Sequence, residues 1–101
     1  MYTYNVTISI DKTIEAEWVQ WMKNEHIPKV LATGMFSSNK LCKVLSHDDP
    51  ATCSYCSMYD TSALDNFVRY LNDFAPALRA EMDSKYHGKY AAFRTLLEEV
   101  N

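Results

Sequence analysis

Of the three histidines in this 101-residue chain, His26 is the one set at a structural boundary, following Glu25 and preceding Ile27-Pro28 in NEHIPKVLATGMF (residues 24–36). A neutral imidazole titrating near pH ~6.5 can take up a proton or hold a ligand's hydroxyl. At a helix C-terminus the same group is favoured as a cation, which is an ordinary structural use. Glu25 is the odder neighbour. It falls on the apolar stripe Ile14, Trp18, Trp21, Met22, and in what reads as a last helical turn, where the macrodipole opposes a carboxylate. Either a basic partner such as Arg94 or a lysine neutralises it, or the helix ends early and exposes it, or it belongs to a site. Arg94 interrupts the apolar run AAFRTLL (residues 91–97). A guanidinium there requires an anion, which could be Glu25, a carboxylate across a dimer or the acid group of a ligand. Trp18, Trp21 and Tyr59 offer flat faces for a ligand ring, although aromatics at helical spacing commonly form core. The candidate ligand-binding residues are therefore Trp18, Trp21, Glu25, His26, Tyr59 and Arg94, with His26 as the candidate general base.

Other chemistry-bearing motifs are weaker. Cys53-Ser54-Tyr55-Cys56 has the spacing of a redox or metal motif, but on a strand its two sulfurs point to opposite faces. Cys42 can meet one of them across a hairpin; small buried hydrophobes is the plainer reading. His47-Asp48-Asp49-Pro50 has metal-ligand types, yet neighbouring side chains on a turn rarely converge. No glycine-rich phosphate loop or nucleophile elbow is present. The expectation is no metal and no cofactor.

The length fits one domain, residues 1–101, with one modest core. Aromatics make up 13%, including seven Tyr, against 2 Gly. That is more flat apolar surface than a small core easily takes in, so a pocket or partner surface is expected. A net charge of −3 with scattered lysines argues against nucleic acid as a partner. No apolar run approaches a membrane span, and MYTYNVTISI alternates like a strand rather than a signal peptide. Three cysteines without an export signal point to the cytoplasm.

The elements that must position the candidates follow from periodicity. Residues 2–10 place Tyr2, Tyr4, Val6, Ile8 and Ile10 on one strand face and small polar residues on the other. A helix capped by Asp11 or Thr13 follows, and Ile27 before Pro28 predicts its break. KLCKVL (40–45) and TCSYCSMYD (52–60) read as strands joined by SHDDPA. A second helix starts near residues 62–65 with Leu64, Phe67, Val68 and Leu71 inward, and continues through Pro76 to Gly88. KYAAFRTLLEEV closes the chain as a strand apolar on both faces. The order βαββαβ predicts an α+β ferredoxin-like fold: a four-stranded antiparallel sheet, order 4-1-3-2, with two helices on one face. The other face carries Phe93 and Leu97, or Tyr90 and Leu96, together with alternate tyrosines of the third strand. Leaving it in water is unfavourable by roughly 25 cal/mol per Å² of apolar surface, which predicts a homodimer packed sheet to sheet.

The segments YNVTISI, EAEWVQWMKNEHIPKVLATGMF, APALRAE and KYAAFRTLLEEV together resemble a family of short proteins, mostly from Bacteroidetes, classed as a domain of unknown function. The resemblance implies membership of the dimeric α/β-barrel group, whose ferredoxin-like subunits pair through their sheets. His26, Pro28 and Gly34 also match a looser outline shared by barrel families that include cofactor-free oxygenases, isomerases and haem-degrading enzymes, which implies a cleft location. The leading expectation is a small organic ligand in the helix–sheet cleft, with an aromatic molecule as the candidate. The alternatives are a cofactor-independent oxygenase- or isomerase-like enzyme with His26 as base, and an interaction module with no ligand.

Overall fold

Alternation makes Tyr2–Asp11 a strand (β1) with Tyr4, Ile8 and Ile10 buried beneath the helices. In the computed structural model, which describes residues 1–47 and 49–101, β1 is central. It pairs antiparallel with β3 (Thr52–Thr61) and with β4 (Tyr90–Glu98), and β2 (Ser38–Lys43) lies outside β3. The order β2-β3-β1-β4 is the expected one read from the opposite edge. One sheet and one helical layer give a slab 19 Å thick.

Register decides which side chains share a face. Tyr4 stands opposite Tyr59 and Ile8 opposite Tyr55, so both tyrosines of β3 point toward the helices and are buried. The expected tyrosines of the outer face are therefore absent from it. Packing accounts for this, because the rings of Tyr4, Phe36 and Tyr59 lie 5.4–6.3 Å apart on the helix side. The outer face instead presents Cys56 and Met58 from β3, small polar residues from β1, and Phe93 and Leu97 from β4. Phe93 is 64% exposed and Leu97 46% exposed. β2 begins two residues before the expected Lys40, because the Ser37 N–H donates to the Asp60 carbonyl at 2.8 Å and the Ser38 hydroxyl to its carboxylate at 3.3 Å. In the connection to β3, Asp49 accepts from the Ala51 and Thr52 N–H groups. His47 and Asp49 are exposed, and Asp48 lies outside the described residues.

The first helical arm departs from expectation at Pro28. Asp11 caps its start by accepting from the Thr13 N–H, and α1 (Glu15–Trp21) follows. The chain then opens into one wide π-type turn, Met22–His26, and continues as α2 (Ile27–Ala32) without a break. Ile27 keeps helical angles, φ −60° and ψ −45°, and its N–H reaches back five residues to the Met22 carbonyl. Proline offers no N–H, and its ring crowds the carbonyl four residues back; a wide turn just before it relieves that crowding and keeps the helix running. Gly34, with φ 78°, ends the arm.

The second arm is α3 (Leu64–Asp73) and α4 (Ala75–Tyr86), the latter with Pro76 in its first turn. Leu64 and Val68, expected inward, are 44% and 48% exposed. The Tyr4 ring meets Phe67 at 5.1 Å and Tyr70 at 5.9 Å, and this contact turns the Phe67–Tyr70 side of α3 to the sheet.

A polar knot fastens the first arm to the β2–β3 edge. The Glu15 carboxylate accepts from the Lys43 ammonium at 2.7 Å and the Tyr55 hydroxyl at 2.6 Å. These donors, Lys43 first, hold its pKa down to about 2 from an ordinary 4.5. A carboxyl depressed by folding contributes stability above its unfolded value and loses that contribution as pH falls through its folded one. The urea midpoints of wild type and Glu15→Gln should stand apart at neutral pH and converge between pH 4.5 and about 2. Curves that stay parallel throughout would show that the knot adds nothing to stability.

Candidate functional site

The inner face of the sheet and the helical layer do not close completely. Between them lies a cleft lined by Tyr4, Val6 and Ile8 of β1, Ser57 and Tyr59 of β3, and Tyr90, Ala92 and Arg94 of β4. Its helical wall is Met22 and His26 of the wide turn, Tyr70 of α3, and Leu78, Arg79 and Met82 of α4. The cleft holds about 470 Å³ of space including its solvent-open part, of which about 30 Å³ is open to the centre of a water-sized body. The inner part thus accepts a group about the size of a water molecule or two.

The wide turn is what puts His26 there. One extra residue in the turn advances the helical phase by one position, so the stripe Trp18, Met22 passes to His26 rather than to Glu25. His26 is 9% exposed, and its Nδ1 is buried with no hydrogen-bond partner among the described residues. Its ring stacks on Trp21, with centroids 4.9 Å apart and planes 27° apart. Burial pulls its pKa from 6.5 down to about 4, with Glu81 acting against and Lys29 adding to the shift. The expectation of a cationic histidine at a helix end is therefore corrected. The helix does not end there, and desolvation outweighs the field.

Glu25 goes the other way. It is exposed, in an outer groove with Trp21, Lys29, Ala77, Glu81 and Lys85, and does not line the cleft of His26 and Arg94. A carboxylate that would be costly to bury thus stays in water. Trp18 also drops out of the cleft wall. It is 0% exposed and sealed in the core, its ring 5.2 Å from that of Tyr55. Trp21 backs His26 from the groove side and meets Tyr86 edge-on at 5.5 Å. Tyr59 and Arg94 both line the cleft.

Arg94 faces inward on β4, opposite Val6, with its side chain exposed. Across the cleft Arg79 donates from Nη2 to the Tyr4 hydroxyl at 3.1 Å. Among the described residues neither guanidinium has a carboxylate within ion-pair distance. Burial raises the pKa of Tyr59 to about 12, and that of Tyr70 is also raised, so both hydroxyls stay protonated and can donate. Arg79, Tyr4 and Tyr70 were not singled out from the sequence. The inward parity of Tyr4 was legible, whereas Arg79 and Tyr70 required the packing of the second arm.

The cysteines form no site. Cys53 faces the helices and Cys56 the outer side, and Cys42 stands opposite Cys56 with all three unbonded. No cluster of three or more metal-ligating side chains occurs among the described residues. No helix among them is long and apolar enough to cross a membrane.

Fold and cleft together define a ferredoxin-like α+β protein. The chain belongs to the family of the domain of unknown function DUF4286, whose family model matches residues 1–100. Similar solved structures agree on the fold. An EthD family protein from Bacillus halodurans superposes with a TM-score of 0.70 at 12% identity, covering 99% of this chain and 100% of its own. A protein described as an antibiotic biosynthesis monooxygenase from Deinococcus radiodurans gives 0.67 at 15%, covering 100% and 94%. A dimeric ferredoxin-like protein from an uncultured marine organism gives 0.59 at 9%, covering 100% of both chains. No curated protein matches the chain in sequence.

His26 supplies a test of the site's electrostatics. Its folded pKa, about 4, lies below the ordinary 6.5, so the unfolded chain binds the extra proton between those values. Stability should therefore fall as pH drops from 6.5 toward 4, and His26→Gln should flatten that part of the slope. An imidazole resonance of His26 that titrates near 6.5 by NMR would contradict the buried, neutral assignment.

Proposed function

We propose that this protein is a homodimer that binds a small organic molecule with a flat apolar body in each helix–sheet cleft. One observation carries the reading: a buried, neutral imidazole with an unpartnered Nδ1 stands on the wall of a cavity otherwise lined by tyrosines, apolar side chains, Ser57 and two arginines. A ligand hydroxyl or carbonyl reaching the inner chamber would satisfy His26, while the ligand's body lies along Tyr90 in the open part. Met22 and Met82, flexible thioether chains, are the wall residues best able to adapt to it. Homodimerisation is supported by Phe93 and Leu97 on the outer face, by the unpartnered, buried Asn5 Oδ1 on the same face, and by the fold shared with a dimeric protein. We assign the cytoplasm, since three unbonded cysteines suit a reducing compartment.

A second reading makes the protein a cofactor-independent enzyme. It is favoured by the neutral state of His26, which leaves a lone pair for proton abstraction from an activated C–H or O–H. A third, an interaction module without ligand, is favoured by the small inner volume.

Titrating ¹⁵N-labelled protein with small phenols and aromatic acids separates these readings. Ligand binding predicts shifts at His26, Tyr59 and Ala92, abolished by Ala92→Phe, which fills the cleft; unmoved spectra would leave the interaction module standing. Turnover lost in His26→Gln without a change in melting temperature would favour the enzyme. For assembly, sedimentation at micromolar protein should show a dimer, and Phe93→Asp/Leu97→Asp should yield a folded monomer. A wild-type monomer would overturn the pairing.

A further inference from the structure

We infer that the cleft's ligand is an organic acid, its carboxylate held at the mouth by Arg79 and Arg94 and its inner end by His26. This inference rests on the ligand-binding reading above and adds the ligand's charge. The chain holds 13 acidic residues against 10 basic ones, yet among the described residues no Asp or Glu lines the cleft and both of its charged residues are arginines. In a protein of net charge −3 this is a local reversal of sign. It attracts one kind of ligand and repels none of it.

Placement supports the assignment. Arg79 comes from the helical wall and Arg94 from the sheet wall, and both are exposed while His26 is buried, so the arginines stand at the opening and the histidine deeper in. Arg79 is held by its bond to Tyr4, itself 3% exposed, and that bond uses only one of the guanidinium's five N–H donors. Neither arginine is neutralised by an ion pair among the described residues. A planar carboxylate matches the guanidinium fork in bidentate fashion, which an uncharged amide of the same shape cannot do.

The test compares 4-hydroxybenzoate with 4-hydroxybenzamide, two probes of the same outline that differ in charge. Binding is read by calorimetry and mapped by amide shifts. The acid should bind at least about tenfold more tightly, and added salt should weaken the acid and spare the amide. Arg79→Gln and Arg94→Gln should each reduce acid binding more than amide binding, and the double variant, checked as folded by its amide spectrum, should lose the preference for the acid. Equal wild-type affinities for the two probes, both mapping to the cleft, would overturn the acid assignment and leave the cleft reading in place. An acid preference that survives in the double variant would overturn it as well. Failure of both probes to bind the wild type would overturn the acid assignment and the cleft reading together.

Discussion

Pro28 cannot donate a hydrogen bond, and the first helical arm is organised around that fact. A proline inside a regular helix costs about 3 kcal/mol, through a lost bond and a clash with the preceding turn. Here the strain is met by widening the turn from Met22 to His26, with the Ile27 N–H reaching the Met22 carbonyl. The extra residue in that turn is small in length and large in consequence. It carries His26 into the protein and Glu25 out into water, where a carboxylate avoids a desolvation penalty of several kcal/mol. With an ordinary α-turn in its place, the apolar stripe would run into Glu25, and a carboxylate would have to be buried where the neutral imidazole now stands.

Tertiary packing fixes the rest of the cleft. Tyr4 is the hinge of the arrangement: it stands opposite Tyr59 and Leu96 in the sheet, touches Phe67 and Tyr70 of α3, and accepts from Arg79 of α4. One central-strand residue thus orients the tyrosine wall and one of the two guanidiniums. The aromatic surplus in the composition is largely absorbed here, on the helix side. The outer sheet face is left with small polar residues around a few apolar ones, chiefly Phe93, Leu97 and Met58. That face is for that reason less oily than the composition implies.

The fold was legible because its signals are local. Alternation in β1, the Asp11 cap, Pro76 in a first turn and Gly88 after α4 each point to the same arrangement, and the strand order follows from connection rules. The site was legible in part. His26, Tyr59 and Arg94 were found from residue type and position, and they do line one cleft. Glu25 and Trp18 were misplaced for different reasons. A constant 100° per residue cannot register a one-residue phase shift, so Glu25 was put on the stripe that His26 occupies. Periodicity also cannot tell a core wall from a cavity wall, so Trp18 was grouped with the ligand-facing rings. Arg79 was missed because nothing in its own helix marks it; its meaning comes from Tyr4, 75 residues away.

An unpartnered buried atom is not by itself a sign of function. Trp18 Nε1 and Tyr86 Oη are buried without partners as well as His26 Nδ1, each at a cost of about 1–3 kcal/mol. Trp18 and Tyr86 do not line the cleft, so their orphan groups can be read as the cost of using large amphipathic side chains as packing. His26 differs in three respects that act together. It fronts a space large enough for a small polar group, it is held neutral at physiological pH, and two guanidiniums without an ion pair among the described residues line the same cleft. An apolar residue of similar volume would pack against Trp21 without the polar penalty. On the proposed reading, the imidazole gains over such a residue when a ligand enters the cleft to hydrogen-bond with it, and the two arginines set the charge of that ligand.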